Sequence, residues 1–333
     1  MSYEKIPKVE LHRHLEGSLR LSTLIDLAKQ HGQELPADTP ETLSPYAQVL
    51  KPMESLDAVL AAFDLFQNAF RSLEAVERIT FEAIEDAALD NVALIELRFS
   101  PGFMAQPAQL DWDEMMQAIL RGVQRATDQY NILVGLIAIV SRSLGPTSAR
   151  ETVAFTLNWR HELVGFDLAD AEDAWPAKDF AREIKPLHAI DMPITVHSGE
   201  NVGPKHIQES IELLRARRIG HGVSLIDDQN LTEQFIENGW ALEMCPTSNE
   251  RTRAVGHLSA HPAATLLKRG ALVTLNSDDP GLFAITLSSE LERAENEMGF
   301  DKEMIELARQ NAISASFIEQ KIKNDFFAAQ EKG

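Results

Sequence analysis

The sequence predicts an α/β protein, a (β/α)8 TIM barrel with a helical insertion after the first strand and further helices at the C-terminus. Eight short apolar runs recur, each closing on a polar or glycine-rich corner and followed by a helical segment. Continuous apolar strands alternating with helices build a parallel sheet, and eight such units closing on themselves give a barrel. The length, 333 residues with 44% hydrophobic content, fits one barrel with insertions. The glycine-rich fingerprint that follows the first strand of an open dinucleotide-binding sheet is absent. No internal repeat, low-complexity tract or Gly/Ser linker marks a boundary, so residues 1–333 are expected to form a single domain.

The first run is Lys8-Val-Glu-Leu-His-Arg-His-Leu-Glu-Gly17. Residues two apart on a strand point the same way, so His12 and His14 present two imidazoles to one side, a chelating geometry. A His-x-His alone is weak evidence, because surface and packed histidines share the spacing. From Leu19 to about Asn91 the pattern reads as successive helices, through Leu24, Leu27 and Ala28 and then Leu56, Val59, Leu60 and Phe63, punctuated by Pro36, Pro40, Pro45 and Pro52. This insertion, about 19–91, is long enough to cover a pocket, while Phe63, Phe66 and Phe70 at helical spacing also suit plain core.

The remaining strands are expected at Ala93–Ser100, Leu133–Val140, Val164–Ala169, Pro193–His197, Arg218–Gly222, Trp240–Cys245 and Leu272–Asn276. From Asp301 onward the chain reads as helices packed on the barrel, ending in a charged, fraying tail.

Composition narrows the partners. Lysine and arginine total 31 against 51 for aspartate and glutamate, a formal charge of -20 that repels nucleic-acid phosphates and anionic membrane surfaces. No nucleic acid or membrane is expected to bind. Cys245 is the sole cysteine, which forbids an intrachain disulfide and a thiolate metal cluster and suits a reducing cytoplasm. The N-terminus lacks an apolar signal core, and no run approaches the ~20 apolar residues of a membrane span, so a cytoplasmic location is expected.

In a barrel of this kind, side chains at the C-terminal ends of the strands converge whatever their separation in sequence. Here those ends carry His12 and His14, His197, His221, and the adjacent Asp278 and Asp279, with Glu200 three residues after His197. Three histidines and an aspartate match the nitrogen and oxygen ligands of a catalytic zinc. Neighbouring aspartates point in different directions, so one can reach a metal while the other faces a substrate. Gly220 and Gly222 remove bulk on either side of His221, where a ligand or ion comes close. Ser198-Gly199 makes a tight corner able to swing Glu200 over the site.

Glu10-Leu-His-Arg-His-Leu-Glu-Gly17, Glu96-Leu-Arg-Phe-Ser-Pro-Gly102, Ser141-Arg142, Asp167-Leu-Ala169, Val196-His-Ser-Gly-Glu200, Ile219-Gly-His-Gly222, Cys245-Pro-Thr-Ser-Asn249 and Asn276-Ser-Asp-Asp-Pro-Gly281 occur in this order. Through them the chain resembles the adenosine deaminase family over nearly its full length. The resemblance implies a barrel that binds one Zn2+ and hydrolyses a small purine nucleoside, adenosine or 2'-deoxyadenosine, to inosine or 2'-deoxyinosine and ammonia. It implies that His12, His14, His197 and Asp278 hold the metal. Glu200 would then be the proton donor, His221 would orient the attacking hydroxide, and Asp279 would hydrogen-bond the purine. Substrate contacts are implied at His14, Glu16, Asp170 and Asp279.

The chain departs from the family at three places: Glu16 where an aspartate is usual, Asp170 where a glycine is usual, and His-Ser-Gly-Glu where His-Ala-Gly-Glu is usual. These bear on substrate recognition. Adenine deaminases often carry glutamate at the position of Glu16, which keeps an adenine or other 6-aminopurine deaminase as the alternative, whereas Phe99-Ser-Pro-Gly102 and Ser141-Arg142 look like the nucleoside branch. A two-metal relative would have a bridging lysine at the end of the fourth strand, which instead ends Phe166-Asp-Leu-Ala-Asp170. Cytidine-type zinc deaminases need a Pro-Cys-x-x-Cys pair, which a single cysteine excludes. A non-catalytic purine-binding barrel would be expected to lack a ligand or the proton donor, and none is missing.

Overall fold

The computed structural model describes residues 3–53 and 56–330, with the side chains of 56–61 and 330 left aside. The apolar positions Leu56, Val59 and Leu60 and the charged end Glu331–Gly333 therefore lie outside the described side chains. Eight strands form one sheet in chain order: β1 (Lys8–His14), β2 (Val92–Phe99), β3 (Leu133–Ser141), β4 (Gly165–Ala169), β5 (Ile194–Ser198), β6 (Arg218–His221), β7 (Ala241–Met244) and β8 (Leu272–Leu275). Every pairing from β1–β2 to β7–β8 is parallel, with helices between the strands. From β2 to β8 the expected runs and these strands agree to within a residue at each end, whereas β1 stops at His14, short of the end of its run at Gly17. A strand covered on both faces is buried along its length and mostly apolar; all eight residues of β2 are buried, the charged Glu96 and Arg98 among them.

The barrel closes between β8 and β1 by a short seam. Arg13 pairs with Asp278, His14 N donates to Asp278 O (2.8 Å) and Asp278 N to His12 O (3.0 Å). The Asn276 side chain extends this seam, its Oδ1 accepting from the backbone N–H groups of Leu11 (2.8 Å) and His12 (3.2 Å). A side-chain amide thus satisfies donors that a longer β8 would have met with carbonyls.

The insertion forms helices Leu21–Gln30, Pro40–Ala47, Leu56–Gln67 and Leu73–Leu89. Phe66 and Phe70 are fully buried with Leu24 and Leu27, and Phe63 packs against the same core, so the aromatic stripe is core. The insertion also reaches the catalytic face: Val49 N donates to Leu282 O (2.9 Å), Gln48 Nε2 to Gly281 O (2.7 Å) and Met53 N to Arg251 O (2.9 Å), strapping residues 48–53 onto the loops after β7 and β8.

At the other end, helices Lys302–Ala315 and Gln320–Gln330 close the barrel, with Ala312 and Ile318 packed on Val9, Leu11 and Leu94. Gly165 makes room for this cap, since a Cβ there would lie 2.6 Å from the Phe317 ring. No helix among the described residues is long and apolar enough to cross a membrane.

Candidate active site

Four side chains from three distant stretches of the sequence meet at the C-terminal mouth of the barrel. His12 and His14 come from β1, His197 from β5, and Asp278 from the turn after β8. Asp278 Oδ1 lies 3.1 Å from His12 Nε2 and 3.2 Å from His14 Nε2, and His14 Nε2 lies 3.1 Å from His197 Nε2. One donor atom from each of the four lies within 4.8 Å of the others.

Two buried carboxylates fix how the rings face. Glu243 Oε2 is 2.9 Å from His12 Nδ1, and Asp167 Oδ2 is 3.0 Å from His197 Nδ1. Each carboxylate is best met by an Nδ1–H, which leaves the Nε2 lone pair directed at the centre. Burial pushes His197 down to about 3 despite Asp167 beside it, so this imidazole is neutral. Neutral imidazole lone pairs and a carboxylate facing one another at about 3 Å repel unless a cation lies between them, and the fully buried His12 Nε2 has no hydrogen-bond partner. The donor set is nitrogen and oxygen only, as zinc accepts. The residues fit a divalent metal.

Backbone geometry at the strand ends aims these groups. Asp278 (φ 63°), His221 (φ 61°) and Asp170 (φ 82°) all adopt left-handed backbone, a cost of order 1–3 kcal/mol for a non-glycine residue that clusters at functional sites. The flanking glycines behave differently from the expectation. A Cβ on Gly220 would lie 3.0 Å from His12 Cε1, so the space it frees is taken by the His12 ring rather than by an ion.

Beside the cluster stand Glu200 and His221. His221 Nε2 lies 3.8 Å from Glu200 Oε2 and 4.0 Å from Asp278 Oδ2. Asn249, in the helix Pro246–Arg251 after β7, offers Nδ2 to His221 Nδ1 at 3.0 Å, so Nδ1 accepts and Nε2 carries the ring proton toward the site. Asn249 Nδ2 (3.2 Å) and Thr252 Oγ1 (2.9 Å) both donate to Glu200 Oε1, which leaves Oε2 as the oxygen able to hold a proton. The Ser198-Gly199 corner is held from outside: Glu172 accepts the backbone N–H groups of Gly199 (2.8 Å), Glu200 (2.8 Å) and Asn201 (2.9 Å).

Two further carboxyls line the mouth. Burial, then the charges of Asp278, Glu16 and Glu200, push the Asp279 carboxyl well above the ordinary range, and its buried Oδ1 has no partner. Burial raises Glu16 to about 7, partly offset by the Ser100 N–H that donates to Oε1 at 2.5 Å, and Oε2 is buried and unpartnered. Asp170 stands apart. Its Oδ2 accepts from Ser141 Oγ (2.6 Å) and Ser143 N (3.2 Å), which turns the side chain toward the loop after β3.

The structure therefore gathers His12, His14, His197, Asp278, His221 and Glu200 around one point, sets Asp279 and Glu16 beside it, and turns the Asp170 carboxylate away. The sequence reading did not single out Glu243, Asp167, Arg98, Glu172 or Thr252, nor a role for Asn249. For the first three a signal existed: each is a charge within a largely apolar strand.

Comparison with known proteins identifies the family. The family model described as Adenosine deaminase matches residues 7–329. A curated adenosine deaminase from Shewanella loihica is 37% identical over 326 residues, 98% of each chain. Among solved structures, an N6-mAMP deaminase from Arabidopsis superposes with a TM-score of 0.87 at 28% identity, covering 99% of both chains. An adenine deaminase from Arthrobacter aurescens, 24% identical, shares the fold with a TM-score of 0.89 over 98% of this chain and 99% of its own. The chain belongs to the adenosine deaminase family and is a hydrolase acting on C–N bonds.

Proposed function

We propose that the chain replaces the 6-amino group of adenosine and 2'-deoxyadenosine with oxygen, releasing inosine or 2'-deoxyinosine and ammonia, with one zinc ion held by His12, His14, His197 and Asp278. The observation that carries this is the convergence of three imidazole Nε2 atoms and Asp278 Oδ1 beside the Glu200 carboxyl. Zinc bound there would supply a water acidified toward a pKa of ~7, a nucleophile available at neutral pH.

The chain's own groups do the rest. His221, with its proton on Nε2, hydrogen-bonds the attacking oxygen and fixes its line of approach to purine C6. Attack puts negative charge on the ring, and Glu200 meets it by delivering the Oε2 proton to N1. The carboxylate so formed carries the proton of the added oxygen to the 6-amino group, which leaves as ammonia as the C6–O double bond forms. Asp279, kept protonated by burial and by its acidic neighbours, donates toward N7 and so fixes the plane of the base. Glu16, with one oxygen engaged by Ser100 N and the other open, receives the ribose 5'-hydroxyl. Since the Asp170 carboxylate is engaged elsewhere, contact with a purine nitrogen at this position falls to its backbone N–H. The product fits purine salvage in the cytoplasm, a setting compatible with the single buried thiol of Cys245.

The alternative is a 6-aminopurine deaminase that prefers the free base, favoured by the extra methylene of Glu16 in the sugar region. Comparing kcat/KM for adenosine, 2'-deoxyadenosine, adenine and AMP on zinc-loaded protein, read by ammonia release, decides between them. The two nucleosides are expected to lead. A lead for adenine would move the assignment to the base. Efficient turnover of AMP would contradict the nucleoside reading, because a 5'-phosphate would approach the Glu16 carboxyl.

A further inference from the structure

The barrel interior holds a chain of buried charges running from the metal-ligand cluster to the opposite end of the fold. Glu243 Oε2 meets His12 Nδ1 at 2.9 Å and Arg98 Nη2 at 2.8 Å, while Oε1 meets Arg218 Nε at 2.6 Å and Thr195 Oγ1 at 3.0 Å. Arg218 reaches onward, its Nη2 lying 2.6 Å from Glu96 Oε2 and its Nη1 donating to Ala315 O at 3.0 Å. Glu96 Oε1 in turn accepts from Ser316 Oγ (2.7 Å) and Phe317 N (2.5 Å), and the Phe317 ring lies 3.5 Å from the Arg218 guanidinium carbon. Arg218 and the carboxylates of Glu96 and Glu243 are at most 1% exposed.

We infer that Arg218 is a positioning residue for the metal: clamped by the segment 315–317 at the closed end of the barrel, it holds Glu243, and through Glu243 the His12 ring, in the orientation that presents Nε2 to the ion. This rests on the reading of His12 as a ligand. The guanidinium suits the task because its delocalised charge faces two carboxylates at once, Nε toward Glu243 and Nη2 toward Glu96, as close ion pairs outside hydrogen-bond alignment, a span that a point-like ammonium does not cover. Without it, a carboxylate with no access to water loses one of its two guanidinium partners and has only Thr195 on Oε1, so Glu243 turns and its hold on His12 Nδ1 is loosened. Outer partners of metal-ligating histidines are worth about 10–100-fold in metal affinity. Arg218 transmits the same hold from one residue farther out.

The test measures zinc affinity of the full-length apoprotein by competition with a chromophoric chelator, at a temperature where circular dichroism shows each variant folded. Arg218→Met is expected to weaken zinc binding by about tenfold or more. In the zinc-saturated variant kcat should fall while KM for adenosine stays within about twofold, because the substrate-facing groups are untouched. Should Arg218→Met fail to fold, Arg218→Lys, which keeps the charge but not the double clamp, and Phe317→Leu, which removes only the stacked ring, are expected to weaken zinc binding in the same direction by smaller factors. Glu82→Gln, altering a buried carboxylate of the insertion that bonds Thr23 and Arg78, serves as the control and should leave zinc affinity alone. Variants that lose thermal stability but bind zinc as tightly as wild type would overturn the inference, leaving Arg218 a merely structural residue. Wild-type protein that binds no zinc would instead overturn the metal site itself, and this inference with it.

Discussion

A Cβ placed on Gly17 would lie 1.8 Å from Asp279 Oδ1 and 2.5 Å from Asp279 Cβ. The turn after β1 therefore rests directly on the carboxyl proposed to hold the purine, and no side chain at 17 leaves Asp279 where it is. Gly17→Ala is expected to displace Asp279 and lower kcat/KM for adenosine by about 100-fold, the scale of a misplacement near 1 Å. Zinc content by elemental analysis should match wild type. A normal kcat/KM would show that Asp279 does not orient the base.

Glu200 is held at one oxygen by Asn249 and Thr252, with the other free to carry a proton. Glu200→Gln preserves the shape and removes the acid, so turnover should fall by about 10²–10⁴-fold with zinc retained. Single-turnover rates on metal-replete protein check this, and an unchanged rate would remove Glu200 from its role.

The Asp170 carboxylate serves the loop after β3, and the residue sits at φ 82°, where glycine is at ease. Asp170→Gly exchanges hydrogen bonds to Ser141 and Ser143 for relief of backbone strain. With no carboxylate in the pocket to lose, kcat/KM should stay within about twofold, as for a surface change near ±0.5 kcal/mol. A large loss would place this side chain on the substrate.

Removing the metal should lower the unfolding temperature, since a ligand bound only by the folded state at about 100 times its Kd adds about 2.7 kcal/mol. Scanning calorimetry with and without chelator measures it. His197→Ala should show little zinc-dependent shift and little activity. Full zinc occupancy in that variant would exclude His197 as a ligand.

Glu290 provides a pH test away from the reaction. Burial raises its carboxyl to about 7, partly offset by hydrogen bonds from Thr247 and by Arg293 and Arg251. The folded state then keeps a proton that the unfolded chain has released, so this contribution to stability is complete below about pH 4.5 and is lost as pH rises through about 7. Glu290→Gln removes the titration. The difference in unfolding free energy should shift toward the variant by up to about 3 kcal/mol between those limits, as denaturant melts at several pH values would read. A pH-independent difference would mean that Glu290 is ionised in the fold.

Much of this was legible in the sequence for identifiable reasons. Strands buried on both faces are largely apolar, so β2 through β8 stood out as runs, and polar residues at their ends marked the catalytic mouth. His12 and His14 share a face because β-strand geometry requires it. The supporting groups were less visible because their partners are fixed only when the barrel closes. Glu243 finds His12 and Arg98 across 231 and 145 residues of chain. Even so, isolated charges at Glu96, Arg98, Asp167 and Glu243 inside apolar strands imply pairing in a closed interior. Glu172 and Thr252 lie in or beside loop segments whose course no periodicity predicts, and the space at Gly220 belongs to a neighbouring ring that only the folded arrangement reveals.

The seam between β8 and β1 has a consequence for the order of assembly. The proposed zinc ligands His12 and His14 lie on β1 and the proposed ligand Asp278 follows β8, and the same backbone bonds that lock the barrel bring them side by side. Without β8 seated on β1, the imidazoles of β1 would lack the Asp278 carboxylate. Formation of the proposed metal site is thereby tied to closure of the barrel.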